Sequence, residues 1–373
     1  MAAAVQSQPA PHSHALPVYE QAKETKHELE WADLVTLDLS RFDEPGGKEA
    51  LARQLFEALQ TIGFFYVVNF GIEQEEVDRQ FALGKAVFEL PAEEKLKYRA
   101  DLENGGYNGY KPLGLREVKP GIFDNTEIYN IPKFIPAFSD LPHPALIREN
   151  RAEIESFARR VHDGVARKLL VLFALVLELP EDHLASLHRY DDAVSDCHLR
   201  YMKYHARDAE TNARLDNVWV KGHTDFGSLT LLFRQPVAAL QVRDPRGEGW
   251  KWVRPRDGSI TVNVADALQF LTNGFLKSSV HRVVVPPPDQ AGADRLGVLY
   301  FVRPEDGLAL RPVDSPVLRR LGYERGEEAA ALEGVTAGEW VKARVRAGVN
   351  RTTVRSEVSE QEILNGVKVK YYD

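Results

Sequence analysis

His223 and Asp225 are the residues of this chain best suited to chemistry, in Trp219-Val220-Lys221-Gly222-His223-Thr224-Asp225-Phe226-Gly227-Ser228-Leu229-Thr230-Leu231-Leu232. The stretch reads as two strands meeting at a short break. Two positions apart on an extended backbone, the two side chains leave from one face while Thr224 points the other way. An imidazole beside a carboxylate is a pair of ligands for a divalent metal. A third ligand has to come from elsewhere, and His281 offers one in another strand-like run, Lys277-Ser278-Ser279-Val280-His281-Arg282-Val283-Val284. Two imidazoles and one carboxylate make the facial triad that holds non-haem Fe(II) with positions left open. Zinc takes the same donors plus a water. At this level an iron oxygenase, a zinc hydrolase and a simple His–Asp hydrogen bond at a strand end all stay open.

Arg295 opens the otherwise apolar run Arg295-Leu296-Gly297-Val298-Leu299-Tyr300-Phe301-Val302. If buried, it needs an anionic partner, and its fork suits a carboxylate bound through two oxygens; if exposed, it is an ordinary charge at a strand end. Tyr204 is placed to donate a second hydrogen bond to the same group.

The elements that must position these residues follow from periodicity. Val35–Leu39 and Phe64–Val68 read as strands, and 48–61 and 73–90 as helices with apolar stripes. Gly105-Gly106-Tyr107-Asn108-Gly109-Tyr110-Lys111-Pro112 reads as a glycine- and aromatic-rich loop, followed by Asn125-Thr126-Glu127-Ile128-Tyr129-Asn130-Ile131. One long helix is expected over 145–179. From His198 the period changes to two, and short strands with turn signals between them indicate an antiparallel sandwich or barrel. The expected organisation is a flexible N-terminal arm over 1–30, with an α/β region over 31–145. A core-supporting helix over 146–190, a β-domain over 195–310 and a helical C-terminal extension over 311–373 complete it. His12 and His14 lie in the arm, where a stray metal is their only reading beyond a solvated tail.

Composition narrows the class. Apolar content of 44% with 27% charged residues fits a globular protein with a substantial core. A net charge of -8 argues against nucleic acid or an anionic membrane as partner. The most apolar stretch, 169–177, is far short of the roughly 18–20 residues of a membrane span. The single cysteine, Cys197, excludes an internal disulfide framework and fits a reducing, cytoplasmic compartment.

Gly222-His223-Thr224-Asp225, Ser279-Val280-His281-Arg282-Val283 and the arginine beyond them together resemble the Fe(II)/2-oxoglutarate-dependent dioxygenases. The branch is that of isopenicillin N synthase, the plant flavonoid and gibberellin oxygenases and fungal thymine 7-hydroxylase. Ile62-Gly63-Phe64-Phe65-Tyr66-Val67-Val68-Asn69 and Leu271-Thr272-Asn273-Gly274-Phe275-Leu276-Lys277-Ser278 add to the likeness, which spans about residues 32 to 345.

The resemblance implies a mainly β fold with flanking helices: a double-stranded β-helix, or jelly-roll, core with a long helix packed against it. It implies His223, Asp225 and His281 as iron ligands, Arg295 as the partner of the distal carboxylate of 2-oxoglutarate, and Tyr204 in support. Fe(II), 2-oxoglutarate and O2 are the implied cofactor and cosubstrates, with ascorbate as a stimulant. The implied reaction oxidises a small organic molecule, a secondary metabolite or nucleobase-like compound, by hydroxylation, desaturation or ring rearrangement, with release of succinate and CO2. Substrate contacts are expected from Tyr107, Tyr110, Glu127, Tyr129, Phe226 and Phe301. One departure stands out: the family reads Arg-x-Ser where this chain has Gly297, so a hydroxyl contact to the cosubstrate is missing. That keeps open an oxidase of the isopenicillin N synthase kind, which does not use 2-oxoglutarate.

Overall fold

The computed structural model describes residues 16, 18–244, 249–324, 326, 330–349 and 358–372. His12, His14, the first half of the expected arm and the turn at 245–247 lie outside the described residues.

In chain order, β1 (Thr36–Asp38) and β2 (Phe64–Val68) pair in parallel across the helix Gly47–Gln60, which buries Leu51 and Leu55. The helix Gln74–Glu89 follows, started by a capping box between Glu73 and Glu76 and burying Val77, Phe81 and Phe88. Next come β3 (Gly109–Lys111), the small pair β4 (Glu117–Lys119) and β5 (Ile122–Phe123), and β6 (Thr126–Pro132). The β-domain then supplies β7 (His198–Tyr204), β8 (Val218–His223), β9 (Leu229–Phe233), β10 (Leu240–Arg243), β11 (Trp250–Trp252), β12 (Ser259–Val264), β13 (His281–Val284) and β14 (Arg295–Val302). The chain closes with β15 (Val358–Leu364) and β16 (Val367–Tyr372).

Two sheets result. The larger runs β1-β2-β12-β9-β14-β7-β6-β3, the smaller β11-β10-β13-β8-β16-β15. Alternation sorts each strand of the larger sheet. On β7, Leu199 and Tyr201 pack toward the helices, with the Tyr201 hydroxyl donating to Gln80 at 2.8 Å, while Arg200, Met202 and Tyr204 face the cavity between the sheets. On β14, Val298 and Tyr300 join the helix-side core, and Arg295, Gly297, Leu299 and Phe301 line the cavity. This is the jelly-roll with flanking helices that the motifs implied.

Four expectations need correction. The helix over 145–179 is broken into Ala145–Glu149, Arg151–Arg160, a π-helical turn Val161–Ala166, and Arg167–Val176. Asn150 causes the first break, because its side chain donates to the Leu146 carbonyl at 2.8 Å, competing with the helix backbone. The π turn carries His162 into the core, where Nδ1 lies 3.1 Å from the Tyr300 hydroxyl and Nε2 2.8 Å from the His188 carbonyl oxygen. Second, the expected glycine-rich loop is not wholly loop: β3 within it pairs with β6, which is buried along its whole length and pairs in turn with β7.

Third, the C-terminal extension is not wholly helical. After the helix Ala337–Val349 it ends in the β15–β16 hairpin, with Asn365 and Gly366 both at positive φ in the turn and Val367, Val369 and Tyr371 buried. Finally, the arm is held from residue 18 onward. Gln21 donates to Asp78 at 3.1 Å, Thr25 to Asp289 at 2.8 Å, and the Glu30 carbonyl accepts from Trp252 N–H at 2.8 Å. Among the described residues no helix is long and apolar enough to cross a membrane.

Burial also sets an acid sensitivity. His188 is 1% exposed, fixed between the Leu184 carbonyl and the Ser228 hydroxyl at 2.7 Å each, and burial pushes its pKa down to about 4. The unfolded chain binds that proton near the ordinary value of about 6.5, so stability is complete above that pH and falls as pH drops from there through the folded value. Urea unfolding is expected to show a loss of about 2 kcal/mol from this residue between pH 7 and pH 5. His188→Gln should remove that share of the pH dependence.

Candidate metal centre and active site

His223 closes β8 and His281 opens β13, directly opposite each other in the antiparallel register. Their rings stand 4.4 Å apart between centroids. Asp225 follows two residues later, at the start of the turn into β9. The ligand atoms of the three residues all lie within 4.8 Å of one another. Each imidazole is oriented by the carbonyl two residues earlier: His223 Nδ1 donates to Lys221 at 2.9 Å, and His281 Nδ1 to Ser279 at 3.1 Å. Both Nε2 lone pairs are thereby aimed into the cavity, the tautomer a metal ligand needs.

Asp225 is fixed through one oxygen. Thr230 Oγ1 donates to Oδ2 at 2.7 Å and Asn263 Nδ2 at 3.1 Å. Burial opposes ionisation of this carboxyl, but the two imidazoles and these hydrogen bonds overcome it and hold the pKa down to about 2. His223 is pushed down to about 3 by burial and by His281 beside it. A neutral His223 and an ionised Asp225 are the protonation states that a divalent cation requires of these ligands. The donor set fits Fe(II).

The loop carrying Asp225 is pinned from outside. The Asp225 carbonyl accepts from Asp266 N–H at 2.9 Å, and the Thr224 carbonyl from Arg344 Nη2 at 2.9 Å. Arg344, on the C-terminal helix, is ion-paired to Asp266 and 2% exposed. Gly222 has a steric reason: a Cβ there would meet the Trp250 ring at 2.7 Å and Tyr372 at 2.9 Å. Tyr372 pairs with Gly222, so the terminal hairpin lies along the strand that bears His223.

His223, Asp225 and His281 line one cavity between the sheets that opens to solvent. At its other end stands Arg295, 4% exposed and opposite Tyr204 in the register, with its guanidinium 5.4 Å from that ring's centroid. Arg295 has no carboxylate partner, and its buried Nε meets no acceptor, among the described residues. A guanidinium so placed is fitted to a bound anion. Beside it, Gly297 lines the same wall, and a Cβ there would be tight only against the tip of Leu299 at 3.3 Å, with Leu232 Cδ1 and the Met202 carbonyl at ordinary contact, 3.8 Å each.

The expected substrate residues divide by strand parity. Phe301 lines the cavity; Tyr107 packs on the cavity-lining Arg200, its ring centroid 4.7 Å from the guanidinium, and its ring lies 6.3 Å from that of Phe226. Tyr110, Glu127 and Tyr129 lie on the other face, turned toward the helices. Glu127 is 3% exposed and receives hydrogen bonds from Lys95 at 2.8 Å, Tyr110 at 2.7 Å and His205 at 2.8 Å. Burial raises its pKa, but these bonds outweigh it and leave the group at about 2. Tyr129 is fully buried, its hydroxyl 2.8 Å from His143. These three are structural and not cavity residues. Sequence reasoning missed Arg200, Thr230 and Asn263, which do line the cavity. Counting by twos from Tyr204 along β7 would have found Arg200.

Comparison with known proteins accords with this geometry. Residues 34–151 match the family described as the non-haem dioxygenase in morphine synthesis N-terminal domain, and 194–304 match the 2OG-Fe(II) oxygenase superfamily. The UPF0676 protein C1494.01 of Schizosaccharomyces pombe is 31% identical over 322 residues, covering 83% of this chain and 90% of that protein. The 1-aminocyclopropane-1-carboxylate oxidase of Dictyostelium discoideum is 25% identical over 318 residues, covering 74% and 83%. The crystal structure of full-length Neurospora crassa thymine 7-hydroxylase with alpha-KG superposes with a TM-score of 0.71 at 24% identity, over 87% of this chain and 99% of that one, a likeness of fold.

Proposed function

Since the chain belongs to the Fe(II)/2-oxoglutarate oxygenase superfamily and is a 2-oxoglutarate-dependent dioxygenase acting on a small molecule, we propose that His223, Asp225 and His281 hold its iron and Arg295 its cosubstrate. The observation that carries this reading is the convergence of two carbonyl-oriented imidazoles and one ionised carboxylate in a cavity ended by an unpaired arginine. Bound there, Fe(II) and 2-oxoglutarate supply the oxidation of a C–H bond by O2, with release of succinate and CO2.

The chain's own residues do the rest. His223 and His281 donate through Nε2 while their carbonyl partners prevent ring rotation. Asp225 offers its free oxygen because Thr230 and Asn263 occupy the other. Arg295 grips the distal carboxylate of the cosubstrate, and Tyr204 supports it from the adjacent strand. Phe301, Phe226 and Tyr107 wall the substrate side and exclude water. The substrate is a small organic molecule of secondary-metabolite or nucleobase-like size, oxidised in a cytoplasmic setting. Hydroxylation, desaturation and ring rearrangement differ only in which C–H bond the walls present.

The test is succinate release from 2-oxoglutarate by purified protein, with Fe(II) and O2 each present or withheld. Turnover that needs both supports the assignment. Hydrolysis indifferent to oxygen in a zinc-loaded protein would sink it.

Gly297 makes a gain of affinity testable. Gly297→Ser restores the hydroxyl at the cost of displacing one flexible Leu299 methyl. A charge-assisted hydrogen bond contributes about 1.5–3 kcal/mol, less whatever a water already supplies, so 2-oxoglutarate should bind about tenfold tighter. Calorimetric titration of the Fe(II) protein checks it, and an unchanged Kd would place the cosubstrate elsewhere.

A further inference from the structure

Arg200 is the unexplained charge of the cavity. It is 6% exposed and lines the same cavity as the three metal-ligand candidates, yet every hydrogen bond it makes is to a neutral group. Its Nε donates to Asn130 Oδ1 at 2.8 Å, and Nη2 lies 3.2 Å from His198 Nε2, whose Nδ1 in turn donates to the Asp196 carbonyl at 2.7 Å. The guanidinium lies between two rings, 4.2 Å from the centroid of Phe301 and 4.7 Å from that of Tyr107. Its neighbours are provided for differently. Arg303 is ion-paired to Asp196 and Arg344 to Asp266, so those buried guanidiniums bring their own carboxylates. Among the described residues, Arg200 and Arg295 are the cavity-lining arginines without one. A buried cation is costly unless an anion joins it.

Register separates the two. Arg295 stands opposite Tyr204, and Arg200 opposite Leu299, four residues along β14 and about 13 Å away at the rise of a strand. Thr230, which anchors Asp225, stands opposite Phe301, the ring on which Arg200 lies. One arginine therefore serves the deep end of the cavity and the other the level of the metal ligands. The cosubstrate accounts for Arg295. With Fe(II), doubly charged 2-oxoglutarate, Asp225 and both arginines in place, the cavity keeps one positive charge, and it lies at Arg200.

We propose that the substrate is a small organic acid whose carboxylate binds Arg200, held between Phe301 and Tyr107 and oriented by Asn130 and His198. This rests on the oxygenase reading above. The ring sandwich and the two neutral partners fix the plane of the fork, leaving Nη1 and the outer edge of Nη2 for the acid. Binding through that fork would set which carbon of the acid meets the oxidant, so Arg200 is a specificity-determining residue.

The experiment uses anaerobic Fe(II) protein and calorimetry. 2-Oxoglutarate is titrated first, and its failure to bind would overturn the oxygenase reading itself. The Fe(II)·2-oxoglutarate protein is then titrated with benzoate, phenylacetate, cyclohexanecarboxylate and proline, each beside its primary amide, and with thymine as a neutral planar probe. At least one acid should bind about tenfold or more tighter than its amide and than thymine. Arg200→Gln should erase that preference, and Arg200→Lys should keep part of it. Cosubstrate binding with no acid preferred to its amide, or with thymine bound best, would overturn the proposal and leave the oxygenase reading standing. Should Arg200→Gln fail to fold, the acid-to-amide comparison in the unaltered protein still decides.

Discussion

Asp225→Ala is expected to leave a protein that folds, holds little iron after dialysis and releases no measurable succinate. The carboxylate is the only anionic ligand of the proposed triad, and it sits in a cavity where its charge is little screened. Taking one member from a buried charged set costs about 3–5 kcal/mol, or roughly 10²–10⁴-fold in metal affinity. Two imidazoles remain, too few to compete with bulk water for iron. The alanine also takes from Thr230 its hydrogen bond to Oδ2, and leaves Asn263 Nδ2 only the longer one to the Val264 carbonyl at 3.3 Å. Thr230→Val provides the graded companion. It keeps all three ligands, frees one oxygen of the carboxylate, and should weaken iron by about 10–100-fold. Metal analysis after dialysis and coupled succinate release read both variants. Full iron occupancy in Asp225→Ala would remove the aspartate from the triad.

The centre was legible in the sequence because strands make it so. A two-residue spacing on an extended chain puts His223 and Asp225 on one side, and His281 in a second β-run needs only a pairing to meet them. Arg295 stood out for a related reason, a charge at the head of an apolar strand. The same rule, applied one strand further, would have corrected the substrate contacts. Thr126 pairs with Tyr204, so even positions on β6 face the cavity and Glu127 and Tyr129 cannot. They were misjudged because no strand was assigned to the segment, and without one parity cannot be applied. Arg200 escaped because its importance lies in what it lacks. Only the packed structure reveals that Arg303 and Arg344 are ion-paired, whereas Arg200 has no ion pair among the described residues. The terminal hairpin carried a readable signal, Asn365-Gly366 between alternating residues, but its role depends on a pairing with β8 across 150 residues of sequence.

The second large effect is expected at Arg295, and it should appear in affinity and stability together. In the protein without 2-oxoglutarate, this guanidinium is buried beside a tyrosine ring with its Nε unsatisfied. Burial disfavours its charge and lowers its pKa from the usual arginine value. Arg295→Gln removes that cost, so the ligand-free variant should melt no lower than the parent. Addition of 2-oxoglutarate should then separate the two proteins. The parent gains a bidentate ion pair and its Tm rises with cosubstrate concentration, whereas the variant responds weakly. Losing one partner of a buried charge pair costs about 2–5 kcal/mol, so KM for 2-oxoglutarate should rise by about 10²-fold or more. Iron affinity should not change, because none of the three metal ligands touches Arg295. Since the contact is made to a carboxylate that does not react, ground state and transition state lose it equally, and kcat at saturating cosubstrate should be largely preserved. Arg295→Lys separates charge from geometry: it keeps the cation but not the fork, and its KM should fall between the two. A variant whose KM stays at the parental value, or whose Tm still climbs with 2-oxoglutarate, would show that the cosubstrate is gripped by another residue.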